Sequence, residues 1–142
     1  MGRITIHLRG ATKEKAYAEM LNNYGNRLKI NNISIKSHSS KKSLEKYFAE
    51  IDKNATLYLL DETGKQYTSQ EFAKLVKQWN VNNQDVNLAV GPVDGWQEYK
   101  TGTSNLISLS EMTFPHELAA VMLVEQVYRA TEIIKGTKYH RN

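Results

Sequence analysis

Seven apolar residues in a row, Leu118-Ala-Ala-Val-Met-Leu-Val124, constrain this chain more than any other stretch. They follow Pro115 and Glu117, which both suit a helix's first turn. Proline fixes its own φ, and a glutamate there meets the positive end of the helix dipole. A helix lying on a surface shows an apolar stripe, not an apolar circumference. This one has to be covered on nearly all sides, by its own domain or by a second subunit. Polar spacing returns with Glu125, Arg129 and Glu132, which share one face. Gly136 is a natural C-cap. The tail Tyr139-His140-Arg141-Asn142 has no room for a further element.

Upstream, strands and helices alternate. Ile4, Ile6 and Leu8 alternate with polar residues, which predicts a strand over 3–9. A helix follows over 12–24, with Ala16, Met20, Leu21 and Tyr24 inward, and Gly25 ends it. Ile30, Ile33 and Ile35 predict a second strand over 28–36, with a bulge at Asn31-Asn32. After a polar loop over 37–42, a helix over 43–51 carries Leu44, Tyr47, Phe48 and Ile51 on one side. The continuous apolar run at 55–60 reads as a central strand of a parallel sheet, and it runs into a turn at Asp61-Glu-Thr-Gly64. Thr68 and Glu71 form a capping box for a helix over 68–79, striped by Phe72, Leu75, Val76 and Trp79. A short apolar strand at 86–90 precedes Gly91-Pro-Val-Asp-Gly95, and a short turn or helix covers 96–100. Leu106, Ile107 and Leu109 then form a last strand, ending at Ser110. This order predicts an α/β domain, mostly parallel, with helices on both faces of the sheet. Ligands of such sheets sit beyond the carboxyl ends of strands. Three turns qualify: 61–64, 91–95 and 110–115.

A length of 142 residues suits one domain with a real core. No apolar run approaches the roughly 20 residues of a membrane span. The start of the chain lacks the pattern of a secretory signal, so a cytoplasmic address is the expectation. The absence of cysteine removes disulfides, thiolate catalysis and cysteine-based zinc sites together. His7, His38, His116 and His140 have no metal-ligand spacing, so no metal site is expected. A net charge of +4 allows a nucleic-acid partner without demanding one. The glycine-flanked 91–95 turn is neither a dinucleotide fingerprint nor a P-loop. No nucleophile-elbow motif surrounds Ser110. The basic clusters Lys41-Lys42 and Lys135, Lys138 and Arg141 are read either as solvated charge or as phosphate contacts.

From residue 57 onward the wording resembles the SPOUT-class RNA methyltransferases. Within that class it is similar to the small enzymes that methylate N3 of a pseudouridine in large-subunit ribosomal RNA. Six segments carry the resemblance in order and spacing: Leu59-Leu-Asp-Glu-Thr-Gly-Lys65, Ser69-Gln-Glu-Phe-Ala73, Val90-Gly91 with Asp94-Gly95, Leu109-Ser-Glu-Met-Thr-Phe-Pro-His116, Glu125-Gln-Val-Tyr-Arg-Ala130, and Tyr139-His140-Arg141. The N-terminal half matches through its element order and Tyr24-x-x-Arg27. Pro92 stands where the family usually has a second glycine, and Ala120 where it usually has an arginine.

The resemblance implies one SPOUT domain over 1–142, with a trefoil knot in roughly 86–142. It implies S-adenosylmethionine bound by Leu60, by Gly91, Pro92 and Gly95, and by Leu109, Ser110, Glu111, Met112, Thr113 and Phe114. It implies a homodimer whose active site is completed across the interface, acting on ribosomal RNA in the large subunit or the assembled ribosome. In that frame His140 is the candidate base for the N3 proton, Tyr139 positions it, and Arg141 meets a phosphate or the developing ring anion. Two other readings share the fold: a methyltransferase for another RNA, such as transfer RNA, and a knotted dimer that binds RNA or ribosomes without turnover.

Overall fold

The apolar runs at 57–60 and 86–90 become neighbours inside a five-stranded, all-parallel sheet in the computed structural model of the chain, which describes residues 2–101 and 105–141. In chain order the elements are β1 (Ile4–Arg9), α1 (Lys15–Leu28), β2 (Ile33–His38), α2 (Leu44–Ile51), β3 (Thr56–Gln66), α3 (Ser69–Val81), β4 (Val86–Val90), β5 (Asn105–Ser108) and α4 (His116–Lys135). The strands lie in the order β2-β1-β4-β3-β5. Every residue of β4 is buried, as a run without polar alternation requires.

Both faces of the sheet are covered. Ile4, Ile6, Leu8, Val86, Leu88 and Val90 pack towards α1, α3 and α4. Leu57, Leu59 and Ala89 face the other way, against Tyr47 and Ile51 of α2 and the indole of Trp96. The α/β class, the helices on both faces and the parallel sheet are as the sequence predicts. No helix among the described residues is long and apolar enough to cross a membrane.

Local chemistry explains the helix starts. Thr68 caps α3 by accepting from Glu71 N, while Glu71 accepts from Thr68 N, the reciprocal pair of a capping box. Ser43 caps α2 through Lys46 N. α1 has no side-chain cap of its own. Glu117, in the first turn of α4, supplies one from a distance: its Oε1 accepts from Lys13 N and Glu14 N at 3.1 Å each. Those amides hold the Glu117 carboxyl below its usual range. Pro115 is the N-cap of α4, one position before the expected first turn, and Gly136 is the C-cap with φ +76°.

Five expectations need correction. α1 starts at Lys15, not Thr12, and runs through Gly25 to Leu28, continuing in a 3-10 turn over Lys29–Asn31. Gly25 serves packing here: a Cβ at that point would lie 3.3 Å from Ile35 Cδ1 of β2. The Asn31-Asn32 pair ends this helical segment, with Asn32 left-handed at φ 60°, so there is no bulge and β2 begins at Ile33. Ala16 and Met20 are exposed, because the buried stripe of α1 is turned towards Leu21 and Leu28. The 61–64 turn lies within a longer β3: Leu60 and Lys65 both pair with Ile107, so the four residues between them loop out of the ladder. β5 ends at Ser108 rather than Ser110. Met1 and Asn142 lie outside the described residues.

The α2 face holds a polar chain that composition does not reveal. Asn87 Nδ2 donates to Ile51 O at 2.7 Å, so its Oδ1 is the atom that accepts from His7 Nε2 at 3.0 Å. His7 Nδ1 then carries a lone pair and accepts from His38 Nε2 at 2.8 Å. His38 Nδ1 in turn accepts from Lys42 Nζ at 3.1 Å, and Lys42 is paired with Glu50 at 2.6 Å. Glu50 Oε2 also lies 3.2 Å from His38 Nδ1, and with both imidazoles neutral one direction of donation runs from the surface ammonium to an α2 carbonyl.

Burial lowers the His7 pKa from 6.5 to about 4, and burial followed by the Lys42 charge lowers that of His38. The unfolded chain therefore takes up a proton below pH 6.5 that the folded chain refuses. The stability His7 contributes is complete above pH 6.5 and is lost as pH falls through about 4. The expected size is roughly 2–3 kcal/mol after allowance for screening. Urea midpoints should fall between pH 7 and pH 4, and more steeply for the native chain than for His7→Gln. Equal slopes would remove His7 from the account.

Candidate functional site: a cavity at three strand ends

Beyond the carboxyl ends of β4 and β5, and beside the loop that interrupts the β3 ladder, lies a cavity of ≈ 760 Å³, within the size range of small-molecule sites. Each of the three expected turns contributes to its wall. From the β3 loop come Leu60, Asp61 and Glu62. The β4 turn gives Gly91, Pro92, Val93, Asp94 and Gly95, and the segment after β5 gives Leu109, Ser110, Met112, Thr113 and Phe114. Nine of the ten positions expected to hold a cofactor therefore meet around one space. The tenth, Glu111, is exposed and does not line it.

Each turn is shaped by its own contacts. The β4 turn closes with Gly95 N donating to Pro92 O at 2.9 Å. The missing side chain of Gly91 makes room for Trp96, whose indole would be 3.0 Å from a Cβ there. The last turn is folded on its serines: Ser108 Oγ donates to Ser110 O at 2.8 Å, and Met112 N donates to Ser110 Oγ at 3.0 Å. The β3 loop curls around Asp61, which accepts from Thr63 N at 3.0 Å and from the Thr63 hydroxyl. Thr113 Oγ1 donates to Glu62 and ties the first turn to the third across the rim. Apolar walls (Leu60, Val90, Leu109, Phe114, Ala119) and three carboxylates (Asp61, Glu62, Asp94) thus face one volume.

Tyr139, His140 and Arg141 are elsewhere: none of them lines this cavity. The tail folds back on α4. Glu125 Oε2 accepts from Arg129 NH2 at 2.6 Å, the i,i+4 pair the sequence expects, and from Tyr139 OH at 2.7 Å. Tyr139 OH also lies 3.3 Å from Tyr24 OH. Burial, then these hydrogen bonds, raises the Tyr139 pKa, so the phenol stays neutral and donates. The Arg129 guanidinium lies 4.9 Å over the Tyr139 ring, and its NH1 is 3.0 Å from His140 Nδ1. Hydrogen bonding to Glu125 raises the Arg129 pKa, which keeps it a cation.

An arginine N–H can only donate, so His140 Nδ1 accepts and its hydrogen is on Nε2. In this arrangement the outer nitrogen of His140 is a donor, and the expected base role requires the ring to leave Arg129. Nothing in the sequence pairs His140 with Arg129; the i,i+4 spacing of Glu125 and Arg129 is the one local signal of this cluster.

A second cavity of ≈ 420 Å³ runs between α1, α3 and α4, lined by Met20, Phe72, Leu118, Val121 and Met122 among others. Of the seven apolar residues at 118–124, Leu118, Ala119 and Met122 remain only partly covered.

Residues 2–140 match the model of the family described as predicted SPOUT methyltransferase. Among curated proteins, the chain is 35% identical to the ribosomal RNA large subunit methyltransferase H of Mycoplasmopsis synoviae, over 97% of this chain and 100% of that one. It is 36% identical to the protein of the same name from Protochlamydia amoebophila, over 93% and 94% of the two chains. It is 38% identical to that of Synechococcus sp. RCC307, over 99% and 95%. A five-stranded parallel sheet, a cavity built from three strand-end turns and a match along nearly the whole length agree, and the chain belongs to the SPOUT methyltransferase family.

Proposed function

We propose that this methyltransferase moves the methyl group of S-adenosylmethionine to N3 of a pseudouridine in large-subunit ribosomal RNA. The observation that carries the reading is the convergence of three separate turns on one cavity, in a chain whose full-length relatives bear the name of a ribosomal RNA methyltransferase. The cavity's chemistry suits the donor. Leu60, Val90, Leu109 and Phe114 suit an adenine, and Asp61, Glu62 and Asp94 suit ribose hydroxyls and the donor's positive charges. Main-chain groups of 91–95 and 109–114 give the remaining polar contacts. When bound, the donor supplies an electrophilic methyl.

The protein's task is then to orient the acceptor and to favour loss of its N3 proton. In the proposed step the N3 lone pair forms the new N–C bond, the S–C bond breaks, and the N3 proton leaves to water. His140, with its hydrogen on Nε2, donates to a ring carbonyl oxygen where negative charge develops. Tyr139 holds the tail against Glu125, and Arg141 meets a phosphate.

Two features support a homodimer whose site is shared. The tail does not line its own chain's cavity, and α4 leaves Leu118 and Met122 partly bare beside the exposed Met20. We read 1–142 as a single domain with the family's knot in roughly 86–142, working in the cytoplasm where a ribosomal substrate is found.

Calorimetry with S-adenosylmethionine should give one donor site per chain. Mass mapping of ribosomal RNA from cells lacking the protein should lose one methyl group from the large-subunit RNA. No heat would favour a binding protein without turnover. A methyl lost from transfer RNA instead would move the substrate to that class.

A further inference from the structure

Leu60 and Val90 are the last paired residues of the β3–β4 ladder, and the chain splays there to make the cavity. Where neighbouring strands part, main-chain carbonyls lose their ladder partners, and buried ones need others. Two aromatic side chains supply them from the α2 side of the sheet. Tyr47 OH donates to Val90 O at 2.9 Å, and Trp96 Nε1 donates to Leu60 O at 2.9 Å. The two rings are stacked, 5.7 Å between centroids and 8° from parallel. Tyr47 is completely buried and Trp96 almost so. Tyr47 is backed in turn by His38, edge to face at 4.9 Å.

This pair clamps the β4 turn at both ends. Val90, where the turn leaves the sheet, is held by Tyr47. Trp96, where the turn returns, is anchored by its own indole, which packs against Gly91 and reaches across to Leu60. Burial of the phenol pushes the Tyr47 pKa well above its usual value, so its hydroxyl remains a donor.

We infer that Tyr47 and Trp96 are positioning residues for the methyl donor: by fixing the Leu60 and Val90 carbonyls they set the spacing of two of the three turns that grip it. The inference rests on the donor site proposed above. It predicts a specific division of effects. Misplaced turns weaken donor binding, while the reacting groups of the tail are untouched.

The test uses Tyr47→Phe, which keeps the stacked ring and removes only the donor oxygen, and Trp96→Phe, which keeps an aromatic ring in place but removes the indole N–H together with its five-membered ring. Binding of S-adenosylhomocysteine is measured by calorimetry, and kcat and the donor KM in steady state. The expected result for each variant is donor affinity about tenfold weaker and donor KM raised in parallel, as for a buried acceptor left unpaired, with kcat at saturating donor within threefold of the unmodified enzyme. If either variant is too unstable to purify, the other reads the same clamp. Donor affinity within twofold of the unmodified enzyme, or a fall in kcat with donor KM unchanged, would overturn the positioning role. No binding to the unmodified protein would overturn the donor-site reading itself, and the positioning role with it.

Discussion

Arg129→Ala is expected to lower methyl transfer to RNA by about 10²–10³-fold, with donor affinity nearly unchanged. One guanidinium does three things at once. It pairs with Glu125, lies over the Tyr139 ring, and fixes the tautomer and direction of His140. Alanine leaves Tyr139 in place, through Glu125, Tyr24 and the Tyr128 ring, but removes the partner of His140, which then samples both tautomers and many directions. The cavity is built from other segments, so the loss should fall on turnover of RNA and not on donor binding. Stability should change little, because partly exposed ion pairs are worth about 0–1 kcal/mol. Arg129→Lys tests the geometry: a lysine keeps the charge but loses the planar fork, and it should recover only a minor part of the rate. Single-turnover assays with saturating donor would read both variants. A rate near that of the unmodified enzyme in Arg129→Ala would remove the tail from the chemistry.

Gly64→Ala should cost about 3 kcal/mol, the upper end for overpacking. A Cβ at Gly64 would lie 2.6 Å from Leu106 C and 2.7 Å from Ile107 N. Those are main-chain atoms of β5, which cannot rotate away as a flexible side chain can. The 61–64 loop would have to lift from the sheet. It carries Asp61 and Glu62, and Glu62 holds Thr113 at the opposite rim. Donor affinity should therefore fall with stability, by about tenfold, as the loop and its tie to Thr113 leave the cavity wall. Thermal unfolding and calorimetry on the same preparation would check the pair of effects. A variant with the melting temperature of the unmodified chain would show that the loop has freedom the geometry denies it.

What was legible beforehand follows the range of the signal. The α3 capping box, the fully buried β4 and the apolar run of α4 are local patterns, and each appears where its residues say. That three turns surround one cavity was also legible, because Gly, Pro, Asp and Ser after an apolar run announce a turn and a parallel sheet places such turns on one edge. Gly25 misled because its helix-stopping habit was overridden by tertiary packing against Ile35. Met20 misled because the buried face of α1 is centred on Leu21 and Leu28, which leaves Met20 at its exposed margin. The His7–His38–Asn87 chain and the Tyr47–Trp96 clamp were invisible for another reason. Their members lie 31 to 80 residues apart, and the clamp's two donors bond main-chain carbonyls, so no spacing rule connects them. Arg129 and His140 fall between these cases: each was noted, but their contact depends on how the tail turns after Gly136.

The strand order has a consequence for how the chain is made. β4 lies between β1 and β3, so the first three strands to leave the ribosome cannot form a continuous sheet. Until Val90 has emerged, β1 and β3 each present a bare apolar edge to which only β4 belongs. Assembly dominated by such distant pairings is slow compared with helical bundles of the same length. The nascent chain is therefore most prone to aggregation just before β4 is released, and a chaperone that shields parallel edges would help it most at that stage of synthesis.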